Sequence, residues 1–76
     1  MMDQEYNGLY VALRNRIRKM RARLLLSGML TNSSTIQLLR HLDEIAKHLD
    51  ERYADRLSFD DVSINIEVLE SGRTMA

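Results

Sequence analysis

The chain has 76 residues, with 11 Lys and Arg set against 11 Asp and Glu, no Cys, no Trp and a single Phe. A chain this short forms one small domain at most, the lack of Cys excludes disulfides and thiolate metal sites, and zero net charge supplies no global pull toward nucleic acid or membrane. No apolar run approaches the roughly 20 residues of a bilayer span and the N-terminus lacks a signal-peptide pattern, so a soluble, cytoplasmic protein is expected.

Residues 1–5 are read as frayed, and a first helix is predicted from about Tyr6 to Leu26. At 100° per residue, Leu9, Leu13, Ile17, Met20 and Leu24 fall on one apolar stripe. Arg14, Arg18 and Arg21 line one side of it, while Arg16, Lys19 and Arg23 lie round the other, with stems along the seam and charged heads in water. Gly28 suits the left-handed position just past a helix end, and Met29 can pack back on Leu24. Ser34 with Gln37 three residues later reads as a capping box, opening the next helix after a turn over 27–34.

The second helix is predicted from Thr35 to about Asp55. Leu38, Leu42, Ile45 and Leu49 repeat at four, three and four residues, and Leu39, Ala46 and Tyr53 widen that face. Charge divides at the break: residues 1–27 hold six Lys/Arg and two Asp/Glu, residues 28–76 five and nine. The simplest arrangement folds the basic helix back on the acidic one with coiled-coil-like packing. Asp43 and Asp50 then face one Arg row, with Glu44 and Glu51 farther out. Exposed pairs are worth about 0–1 kcal/mol each, so they choose register more than they stabilise.

From Val62 to Val68 apolar and polar residues alternate, and Val62, Ile64, Ile66 and Val68 are all β-branched. That alternation favours a strand over about 61–69, which would need a partner strand from another chain. The alternative is a helix with Ser58 as cap, Asp60 and Asp61 in its first turn and Gly72 as its stop. Residues 71–76 are read as disordered.

Candidate chemistry is sparse. The run from Arg14 to Arg23 has the charge to grip phosphates, but its cations lie in two rows and no aromatic is interleaved. Glu44 and His48 are one turn apart, as metal ligands can be, but His41 lies too far along the axis to join His48 and no third ligand is evident. A catalytic carboxylate needs a perturbing pocket, which two helices do not enclose. No Gly-rich loop or activated nucleophile is present. Neither a cofactor nor a metal is expected.

The residues Gly28-Met29-Leu30, followed by Ile36 to Ile45, resemble the short aspartyl-phosphate phosphatases of the sporulation phosphorelay, over roughly residues 13–53. The resemblance implies a two-helix hairpin that docks on a phosphorylated response regulator and speeds hydrolysis of its acyl phosphate. Leu42 and Asp43 match the Leu-Asp of that family's Ser-Gln-x-Leu-Asp signature. Leu39 and Arg40 stand in place of its Ser and Gln, and the turn is one residue longer. Arg18 lies nearest to the family's first-helix Arg. The resemblance makes Asp43 the site residue. Because Leu39 and Arg40 cannot orient water as a hydroxyl and an amide do, it implies binding without catalysis.

The residues together predict a mainly α protein: an antiparallel helical hairpin with a C-terminal strand-like or extended segment. One narrow facing helix would not cover seven apolar positions on the second. The reading is therefore an interaction module (an adaptor, regulator or chaperone-like subunit) that forms a homodimer or docks on a protein partner. Contact falls to Leu38, Leu42, Ile45, Leu49 and Tyr53, with Ile64 and Ile66 pairing strands. The alternatives are an aspartyl-phosphate phosphatase or phosphatase-like binder of a response regulator, with Asp43 at its site, and a nucleic-acid binder using Arg14, Arg18 and Arg21.

Overall fold

A computed structural model describes residues 2–27 and 32–72, apart from the side chains of Met2 and Asp3. It contains three helices: α1 (Met2–Leu26), α2 (Ser33–Asp55) and α3 (Asp60–Ser71). No strand occurs among the described residues. The readings placed on Gly28 and Met29, and on residues 73–76, lie outside them.

Helix α1 runs on through residues 2–5, so the expected fraying is not seen. The cap of α2 is Asn32, not Ser34: its Oδ1 accepts from the backbone N–H of Ser34 at 2.8 Å and of Thr35 at 3.4 Å. Asn32 sits in the extended region with φ −73° and ψ 126°, the backbone an N-cap needs, which draws Ser33 and Ser34 into the first turn. At its other end α2 is closed by Arg56, left-handed at φ 59°. The Arg56 N–H donates to the Tyr53 carbonyl and the Leu57 N–H to that of Arg52. The Tyr6 hydroxyl also lies 2.7 Å from the Arg52 carbonyl oxygen and 2.8 Å from that of Leu57. Its one proton is shared between a carbonyl of the last turn of α2 and one of the segment that follows.

The strand expected over 61–69 is a helix. Ser58 Oγ accepts from the Asp60 N–H, Asp60 and Asp61 occupy the first turn, and Gly72 closes the last at φ 75°. Acidic residues at a helix N-terminus meet the positive end of its dipole, and a left-handed closing residue suits glycine. The alternation has a helical meaning too. Residues two apart lie 200° apart around a helix, so Val62 and Ile66 point inward while Ile64 and Val68 point outward.

The core joins all three helices and the segment before α3: Leu13, Ile17 and Met20 from α1, Leu42, Ile45 and Leu49 from α2, and Phe59, Val62 and Ile66. Cross-links between α1 and α2 descend one helix as they ascend the other. Tyr6 meets Arg52, Tyr10 and Arg14 meet Asp50, and Arg21 meets Asp43. Along α3, Phe59 stacks on Tyr6 and Glu70 pairs with Arg16. Helices rise about 1.5 Å per residue, so the 25 residues of α1 span about 37 Å and the 12 of α3 about 18 Å. The third helix therefore covers one half of the α1/α2 pair and leaves the other half, the tip, open.

Candidate functional site

The predicted contact residues divide into buried and accessible sets. Leu42, Ile45, Leu49 and Ile66 are closed inside the core, so no partner reaches them while α3 stays in place. Leu38 and Tyr53 are half-buried. The Tyr53 ring lies among those of Tyr6 and Tyr10, and its hydroxyl donates to Asn7 Oδ1. Ile64 is 59% exposed and Val68, one turn on, 37%. Val68 was missed as a contact residue; its signal was the four-residue step from Ile64, which counts only once the segment is read as a helix.

Two clefts flank the seam of α1 and α2 at the tip. The first, of about 170 Å³, opens where α3 stops and is lined by Met20, Arg23 and Leu24 of α1, Leu38 and Leu42 of α2, and Leu69 and Glu70 of α3. The second lies between α1 and α2 and is lined by Arg14, Ile17, Arg18, Arg21, Asp43 and Ala46. It brings together Asp43 and the three arginines of the nucleic-acid reading. Two of these are held by carboxylates: Arg14 Nη2 is 3.1 Å from Asp50 Oδ2 and Arg21 Nε is 3.2 Å from Asp43 Oδ1. Leu39 is half-buried and Arg40 exposed.

Charge pairs also tie α3 down. Arg16 grips Glu70 through both Nε and Nη2, and that guanidinium, with Arg23 nearby, holds the Glu70 carboxyl below its ordinary 4.5. At the other end of α3, Asp61 Oδ2 lies 3.1 Å from His48 Nε2 and 2.8 Å from Arg52 Nη2. The His48 contact, then Arg52, holds the Asp61 carboxyl below its ordinary 3.8. Arg52 Nε also points at His48 Nε2, at 3.1 Å. One nitrogen cannot accept from Arg52 and donate to Asp61 together, so an Nε2–H serves Asp61 and a bare Nε2 serves Arg52. His48 is thus joined to α3, and no group of three His, Asp or Glu side chains among the described residues is placed to hold a metal.

The depressed carboxylates set a pH window. Stability they supply is complete above their ordinary values and lost as pH falls through their lowered ones. Glu70→Gln is therefore expected to lower the urea midpoint at pH 7, by about 0–1 kcal/mol for so exposed a pair. The gap between wild type and variant should narrow as pH falls below the ordinary 4.5 and close once the Glu70 carboxyl is protonated. A gap that does not change with pH through the acid range would show that the Arg16 pair contributes nothing.

No helix among the described residues is long and apolar enough to cross a membrane. No protein-family model, curated protein or solved structure matches the chain.

Proposed function

We propose that the protein is a small helical interaction module: an antiparallel hairpin, closed at one end by α3, that docks on protein through the outer face of α3. One observation carries this reading. Helix α3 is apolar on both sides, with Val62 and Ile66 fully buried inward and Ile64 and Val68 exposed outward. A helix with apolar residues on two opposite sides is suited to lie between two layers, and the described residues supply only the inner one. The test is a photo-crosslinking residue in place of Ile64, irradiated in cells, with the exposed Glu51 position as control. Discrete protein adducts from position 64 and none from position 51 are expected. Absence of adducts at position 64 removes the reading.

A second reading is favoured by the cleft that holds Arg18 and Asp43 together. It is the phosphatase-like binder of a response regulator, the arginines meeting a phosphoryl group already held by the partner. With Leu39 and Arg40 in place of a hydroxyl and an amide, binding without hydrolysis follows. The test is binding of a phosphorylated regulator panel, with loss of label followed in parallel. Binding lost in Arg18→Ala and Asp43→Ala supports it; no binding across the panel removes it.

A further inference from the structure

We infer that the outer face of α3 seats in the tip recess of a second copy of this chain, reciprocally, about a two-fold axis. The inference rests on the reading of α3 as a docking surface and names its partner.

Shape is the first argument. Helix α3 stands as a ridge on one half of the α1/α2 pair, and the cleft of Met20, Leu24 and Leu38 opens directly beyond its last turn. Ridge and recess lie end to end on one face of the molecule. A two-fold axis across the helices lays each ridge in the other copy's recess, so the surface is complementary to itself and the contact closes at two copies.

Charge is the second. Helix α3 carries four acids, Asp60, Asp61, Glu67 and Glu70, and no Lys or Arg. The tip, from Arg18 to the end of α1 and from the start of α2 to Leu42, carries Arg18, Lys19, Arg21, Arg23 and Arg40; Arg21 is held by Asp43, and the one acid lining the recess, Glu70, is held by Arg16, which leaves cations in excess there. By helical spacing Asp60 and Glu67 border the Ile64–Val68 stripe on one side and Asp61 on the other. Arg23 forms a wall of the recess, with Lys19 one turn before it. Ridge on ridge would set acid against acid. Ridge in recess sets acid against base and lays Ile64 and Val68 over Met20, Leu24 and Leu38, so electrostatics selects this pairing over the other.

The experiment is sedimentation equilibrium of the full chain across the micromolar range, with circular dichroism confirming the fold of every variant. Wild type is expected at twice the monomer mass of 8.9 kDa. Ile64→Glu and Leu24→Lys are each expected at monomer mass. Mixed, these two variants should associate again, because the mixed pair keeps one native contact and sets Glu against Lys in the other. Arg23→Glu, at an exposed position, is likewise expected at monomer mass and stands in for the single Leu24→Lys variant should the latter loosen the fold.

A wild-type monomer overturns the inference; adducts of another protein at position 64 would leave the docking surface standing. A dimer broken by Ile64→Glu but indifferent to both Leu24→Lys and Arg23→Glu overturns the recess alone. Single variants that dissociate but fail to rescue each other overturn the two-fold. A dimer indifferent to Ile64→Glu overturns the inference; the reading beneath it falls only if position 64 also yields no adducts.

Discussion

Lys in place of Ile66 is expected to unfold the protein, while Lys in place of Ile64 leaves it folded. Ile66 is 0% exposed and packed in the core. A lysine there must bury its charge unpaired or expel α3, and several kcal/mol are lost either way. A chain of this length has about 4–11 kcal/mol of stability in all. Ile64 faces water, and surface substitutions usually stay within about 0.5 kcal/mol. Circular dichroism with urea titration reads both. The pair separates helix from strand: in a strand residues 64 and 66 share one face, and the two variants would behave alike. Equal behaviour would refute α3 as described.

Leu49→Ala is the second large effect. Leu49 is 0% exposed, at the level where α1, α2 and α3 all contribute to the core. Removing its branched end takes away transfer energy and leaves a cavity the three helices cannot all close, a loss of about 2–5 kcal/mol. For a domain of this size that lowers Tm by on the order of 10–30 °C. Leu38→Ala, half-buried at the open cleft, is expected to cost clearly less, since its surroundings already meet water. Scanning calorimetry of the two variants checks the order. Equal losses would mean that α3 does not close over Leu49.

The helices over most of α1 and α2 were legible because their apolar residues recur at three and four over about four turns. The charged rows were legible too. Asp43 and Asp50 meet Arg21 and Arg14, one of the two Arg rows read from spacing. The cap was misplaced because Asn32, Ser33 and Ser34 all have side chains able to accept from a helix start. The tail was misread for a sharper reason. Four β-branched residues at every second position satisfy a strand with one covered face and equally a helix with two covered faces. A window of seven residues does not distinguish them, although Asp60, Asp61 and Gly72 each marked the helix end they turned out to serve; the cap position itself falls to Phe59, one residue after Ser58.

Of the predicted contact residues, Ile64 lies exposed on α3 and Leu38 half-buried at the recess, whereas Leu42, Ile45, Leu49 and Ile66 went to the chain's own core. Periodicity shows which residues want burial, because it follows from local helical geometry. It does not show what buries them, because that depends on where a distant segment lands. Helix content, the basic and acidic division and the apolar faces were thus written in nearest-neighbour chemistry. Packing alone decided that a third helix of 12 residues would cover half of a groove twice its length. It thereby left one apolar face outward and one recess open at the tip, for burial is satisfied by contacts between segments far apart along the chain.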